Sequence, residues 1–153
     1  MRPVRQILVP LDFSKHSDDA LQFACDLARR YEASLTLLHV YQTVTHTLPD
    51  GVVLATPRAL AEHMSAVDEQ LGGKKRQVEA LGLKVTTLAM QGTPFAEIVA
   101  AARRGGHDLI VMGTHGRAGL AHALLGSVAE KVVRKAPCAV LTVRPSDHVF
   151  VHP

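Results

Sequence analysis

The residues of this chain whose types and spacing could do chemistry fall mostly in one segment. It runs Gly113-Thr-His-Gly116-Arg117 and on to Gly126-Ser127-Val128. Gly113 and Gly116 permit positive φ and a close backbone approach, so that amide N–H groups can point at an anion. Gly126-Ser127 then opens a helix, whose first N–H groups and positive dipole end favour a phosphate. Arg117 can offer a charged fork to the same group. A second element is Asp12, directly after the first apolar run, where a carboxylate can accept hydrogen bonds from both hydroxyls of a ribose. Each piece also has a plainer use. Ser127-Val-Ala-Glu130 reads as a capping box, Asp12 as a helix cap, the glycines as a turn and Arg117 as a solvated charge. His115 could in principle act as a base, but a lone histidine in a loop is more often a bystander.

These residues acquire meaning from the elements that must carry them. Strand and helix patterns alternate along the chain. Apolar runs fall at 6–11, 34–41, about 83–90, 108–112 and 138–144, continuous rather than alternating, as in strands buried on both faces of a parallel sheet. A helical stripe of Ala20, Leu21, Ala24, Leu27, Ala28 and Tyr31 follows the first run, with Ser14 or Ser17 as its cap. Residues 42–56, with Pro49, Asp50 and Gly51, read as a long loop. Leu60, Met64, Val67, Leu71, Val78 and Leu81 then mark a second helix. Gly72-Gly73 costs about 1 kcal/mol per glycine relative to alanine there and predicts a kink or break. Thr93-Pro94 opens a third helix with a capping hydroxyl and a proline in its first turn. The fourth spans about 127–136. Five strands and four helices without a compositional break give one doubly wound α/β domain over 1–145. A polar tail, 146–153, follows. Ligands of such sheets bind beyond the carboxyl ends of the strands, where Asp12 and the glycine segment lie.

Composition removes several classes. At 153 residues the chain can bury a sizeable core without staples. Its apolar runs are far too short to span a bilayer, and the N-terminus has no secretory pattern, so a cytoplasmic protein with no membrane association is expected. The net charge of +3 raises nucleic acid as a partner. The cations, however, cluster at helix C-termini (Arg29-Arg30, Arg103-Arg104, Lys131, Arg134 and Lys135), where they favour the dipole, and no aromatics are interleaved with them to stack bases. No nucleic-acid partner is expected. Cys25 and Cys138 form no CxxC pair and read as reduced packing residues. His148 and His152 in the tail are a poor metal signal, and no metal site is assigned. No GxxxxGK[ST] or GxGxxG loop occurs in a suitable context.

Taken together, Gly113-x2-Gly116-x9-Gly126-Ser127 resembles the G-x2-G-x9-G-[ST] motif of the ATP-binding branch of the universal stress proteins. ILVPLDFS at 7–14, LLHVY at 37–41, IVMGTHGR at 110–117 and PCAVLTVR at 137–144 extend the likeness over nearly the whole chain. The resemblance implies strand order 3-2-1-4-5 with helices on both faces, which makes the first and fourth strands neighbours. It implies that the backbone of Pro10, Leu11 and Asp12 and of Val40 holds an adenine edge, that Asp12 binds the ribose and that Met112 lines the wall. Gly113, Gly116, Gly126, Ser127 and Val128 would wrap the phosphates of ATP, carried with Mg2+.

The resulting expectation is an ATP-binding stress-response or regulatory protein with little or no hydrolysis, since no activated nucleophile is present. The alternatives are a dimeric interaction module of the same fold with an empty pocket, a slow ATPase, and a cyclic-nucleotide sensor. A homodimer through the last strand, 138–144, follows from its place at a sheet edge without an inward charge or proline to guard it, and the resemblance implies the same.

Overall fold

The computed structural model describes residues 3–42, 45–48, 51–54, 56–114 and 125–144. The order of elements is β1 (Gln6–Pro10), α1 (Lys15–Tyr31), β2 (Ser34–Tyr41), β3 (Thr45–Leu48), β4 (Gly51–Leu54) and α2 (Pro57–Ala80). β5 (Val85–Gln91), α3 (Pro94–Arg104), β6 (Leu109–Gly113), α4 (Ser127–Lys135) and β7 (Ala139–Val143) complete it. The main sheet has order β5-β2-β1-β6-β7, all parallel, which is the expected 3-2-1-4-5 once the hairpin β3-β4 is set apart.

Alternation along the strands divides the core into two layers. Ile7, Val9, Leu35, Leu37 and Val111 face α1 and α2, with Ala20, Ala24, Ala28, Leu71 and Val78. Leu8, Leu38, Ile110 and Met112 face α3 and α4, with Ile98, Ala102, Ala129 and Val132. Both faces of β1 are therefore sealed, and Ile7, Leu8 and Val9 are fully buried. At the amino ends of the strands, Asp108 accepts hydrogen bonds from the N–H groups of Arg5 (2.9 Å) and Gln6 (3.0 Å), which ties β6 to β1. Those two donors hold its carboxyl below the usual range. Both cysteines are free thiols, Cys25 buried and Cys138 half-buried, and burial pushes both upward in pKa. No helix among the described residues is long and apolar enough to cross a membrane.

Several local expectations need correction. The segment 42–56 holds an antiparallel hairpin, with Thr45 opposite Leu54 and Leu48 opposite Gly51. Its β-branched, Pro-Asp-Gly composition suits a hairpin as well as a loop. The helix α2 runs unbroken through Gly72-Gly73. Val67, Leu71 and Val78 are buried on both sides of the pair, and each contributes about 1.5–3 kcal/mol by burial, more than two glycines cost. Lys74 then reaches Asp18 of α1 at 2.6 Å. Thr93 is the N-cap of α3, but its side chain makes no capping hydrogen bond. Ser14, not Ser17, caps α1.

Candidate functional site

Three strands deliver the candidate residues to one edge of the sheet. β1 ends at Pro10, and the chain leaves it through Leu11, whose N–H still donates to Leu38 of β2 (2.8 Å). Asp12 follows. One of its carboxylate oxygens, Oδ1, accepts from both the N–H (3.0 Å) and the Oγ–H (2.5 Å) of Ser14. Ser14 Oγ accepts in turn from the N–H of Ser17 (3.3 Å), capping α1. Asp12 thus stands one step behind the cap, orienting it rather than forming it, and this corrects the capping role considered for Asp12.

Phe13 makes this turn possible. It adopts φ 62, a left-handed conformation that costs a side-chain-bearing residue about 1–2 kcal/mol. Its ring stacks on that of His39 of β2, with centroids 4.4 Å apart and planes 26° apart. His39 Nδ1 lies 2.7 Å from the carbonyl oxygen of Leu11. A carbonyl only accepts, so Nδ1 carries the proton.

On the α3/α4 face of the sheet, Val40, Met112 and Val128 belong to one apolar cluster, with Met90, Phe95 and Leu125. The structure therefore brings together the ends of β2 and β6 and the first turn of α4. Gly113 is the last residue of β6, paired with Val143, and is not among the positive-φ glycines. Its expected positive φ is corrected, because the ladder keeps it extended. Beyond it, the N–H of buried Thr114 donates to the carbonyl of Val143 (3.0 Å), and the Thr114 carbonyl accepts from the N–H of Gly126 (2.6 Å). The two ends of the glycine segment are thereby fastened together. His115, Gly116 and Arg117 lie outside the described residues.

The start of α4 also differs from the capping box. Gly126 is the N-cap, at φ −68 and ψ 156, and Ser127 is the first helical residue, exposed. Gly126 has no side chain to cap this helix. The angles at Gly126 suit any residue, so backbone conformation does not explain the glycine. Glu130, placed to complete the box, pairs instead with Arg134 at 3.2 Å. Among the described residues no side chain accepts from the leading N–H groups of α4, the arrangement an anion site requires.

Residues 3–144 match the model of the universal stress protein family. The chain belongs to that family. Universal stress protein MJ0531 of Methanocaldococcus jannaschii is 36% identical over 142 residues, 92% of this chain and 82% of the relative. The solved structure of MJ0577, from the same organism, superposes with a TM-score of 0.80 at 27% identity, covering 96% of this chain and 100% of that one. A universal stress protein in complex with cAMP has a TM-score of 0.71 at 23% identity, covering 94% of this chain and 98% of that one. One from Archaeoglobus fulgidus, in complex with dAMP, has 0.65 at 21%, covering 92% and 98%. At those identities the two complexes speak for the shared fold.

Two residues that tie the site's turns together, His39 and Thr114, have no role in the sequence expectation. His39 left a signal, as the one ionisable residue in the otherwise apolar run Leu37-Leu38-His39-Val40. Thr114 left none, because its role lies in its main chain. Among the described residues no group of three or more His, Cys, Asp or Glu could hold a metal ion.

Proposed function

We propose that the protein binds an adenine nucleotide, ATP with Mg2+ first among the candidates, across the carboxyl edge of β1, β2 and β6, and acts as a ligand-sensing regulator. The ribose meets Asp12. The adenine lies against the main chain of Pro10, Leu11 and Val40 beside Met112. The phosphates meet Gly113, Gly116, Arg117, Gly126, Ser127 and Val128. The observation that carries this reading is the start of α4, where the cap is a glycine without conformational need and no described side chain accepts from the helix amides. The motif spacing around it and adenine nucleotides in other proteins of the fold support the same class.

The test is calorimetric titration of the protein with ATP and magnesium, together with mass spectrometry of any small molecule that co-purifies. Gly126→Val, which sets a branched side chain at the phosphate position, should abolish binding. Unaltered affinity in that variant would remove the assignment.

We also propose that two copies pair through β7, which among the described residues is the outer strand beside β6. The Val143 carbonyl accepts from Thr114, so residues 139, 141 and 143 turn their polar main-chain groups toward β6. By the two-residue period, Val140 and Thr142 turn theirs outward, where a second copy can complete the ladder.

A further inference from the structure

The nucleotide reading leaves one group near the site without a role, the buried imidazole of His39. It lies on the face of β2 toward α1 and α2, opposite to Val40, so it belongs to the scaffold and not to the pocket wall. Two of its contacts run to the β1–α1 turn. Nδ1–H holds the Leu11 carbonyl at 2.7 Å, and its ring face carries Phe13. Leu11 and Phe13 are the two residues that flank Asp12. A peptide turn fixed at both flanks sets the Cα–Cβ direction of the residue between them, and Ser14 then selects the rotamer by holding one carboxylate oxygen with two donors.

We propose that His39 is a positioning residue for the nucleotide: through Leu11 and Phe13 it sets the direction of the Asp12 carboxylate. The proposal rests on the nucleotide reading and deepens it. A buried apolar residue of similar volume would fill the core equally well. An imidazole supplies what it could not, an N–H for Leu11 and a flat face that keeps Phe13 at φ 62. The bridge also joins β2 to the β1–α1 turn above the last ladder bond, where Leu11 N–H meets Leu38.

The test compares four proteins by titration with ATP and magnesium and by thermal unfolding without ligand. In His39→Asn the amide N–H takes the place of Nδ1–H, while in His39→Gln it lies one methylene further out and misses Leu11. The Gln variant should bind about tenfold more weakly and the Asn variant within about threefold of wild type, the difference being one oriented hydrogen bond. The third protein, Asp12→Ala, and the fourth, Asp12→Ala with His39→Gln, should bind equally within about twofold, because His39 acts through Asp12. A purely structural role would lower the unfolding temperature of the Asn and Gln variants alike and leave their affinities together.

His39→Gln binding as tightly as wild type would overturn the proposal, as would a full tenfold loss that persists without Asp12. If His39→Gln does not fold, Phe13→Gly asks the same question, since glycine takes φ 62 freely but gives His39 no ring to hold. Affinity equal to wild type there, with Asp12→Ala still weak, would overturn the role of the stacked pair. A wild-type chain that binds no adenine nucleotide would instead remove the nucleotide reading, and this proposal with it.

Discussion

Gly126→Asp should push stability and nucleotide binding in opposite directions. At φ −68 and ψ 156 the backbone accepts an L side chain without strain, and the N–H that bonds Thr114 is kept. Aspartate is a preferred N-cap, better than glycine by a few tenths of a kcal/mol, and its charge at the dipole adds about 0.3–1 kcal/mol. The unliganded protein should therefore gain about 0.5–1.5 kcal/mol, or roughly 1–6 °C at about 2–4 °C per kcal/mol for a domain of this size. The same carboxylate occupies and repels the phosphate position. At 100 times the dissociation constant, ATP should stabilise the wild type by about 2.7 kcal/mol, a rise of about 5–11 °C. A hundredfold weaker complex at the same ATP concentration retains about 0.4 kcal/mol, or roughly 1–2 °C. Thermal unfolding with and without ATP and magnesium reads both quantities. Loss of the ATP shift together with a lower unliganded midpoint would show that glycine is needed for the fold. A raised midpoint with the full ATP shift would show that phosphates do not lie at α4. Either result refutes the reasoning.

Gly105→Ala should cost about 1–3 kcal/mol by overpacking, read as a lower urea midpoint, because the new Cβ would stand 2.3 Å from His107 Cε1 and 3.2 Å from the Ala101 carbonyl oxygen. Burial lowers the pKa of His107, so the folded state favours its neutral ring. Its share of stability is then full above the ordinary value near ~6.5 and is lost as pH falls toward the folded pKa. His107→Gln should flatten that limb of the urea midpoint against pH, and an unchanged slope would contradict this. Thr142→Pro removes an outward N–H while sparing the β6–β7 ladder, so it should shift sedimentation from dimer to monomer; a wild-type monomer at micromolar concentration would end the edge-pairing idea. Phosphate release under saturating ATP and magnesium should stay below about 0.01 per second, the rate of nucleotidases that already hold an arginine in cis. A rate near one per second, absent from Gly126→Val, would make the protein an enzyme.

The architecture was legible because burial on both faces makes parallel strands continuous apolar runs. Residues 34–41 marked β2 at its observed bounds, and every other strand of the main sheet fell within two residues of its run. What failed was local. Pro49-Asp50-Gly51 suits a loop or a hairpin turn, and only pairing between β3 and β4 decides it. Gly72-Gly73 is a weak break that tertiary burial overrides. The capping box at Ser127 was misread by one residue, which transfers the cap to a residue with no side chain. For the site, the sequence marked Asp12, Val40, Met112 and Val128, and the last three share one apolar cluster. His39 stood out only as an ionisable residue in an apolar run, because its contacts with Leu11 and Phe13 depend on the pairing of β1 with β2.

On the proposed reading, a comparison of the four described helix starts explains why α4 would suit a phosphate and why the ligand need not be consumed. Ser14 caps α1 and Thr56 caps α2, each accepting a main-chain N–H. In α3 the Glu97 carboxylate folds back beside Gly92, 2.7 Å from where a Cβ there would stand, and lends its charge to the first turn. In α4 Glu130 is drawn to Arg134 and the cap is glycine. The donors of α4 are main-chain amides, fixed before any ligand arrives and equally placed for a phosphate at rest and one in transfer. Binding both equally lowers the dissociation constant without lowering the barrier. Faster turnover would need a base that orients water and a cation aimed at the transferring group. Among the described residues, Ser14 holds the Asp12 carboxylate with two donors, and Phe13 and His39 pack about the turn that carries it. On the proposed reading, a fixed acceptor for hydroxyls and a row of main-chain donors for phosphates would favour occupancy over turnover, so that the protein would report nucleotide level by being filled or empty.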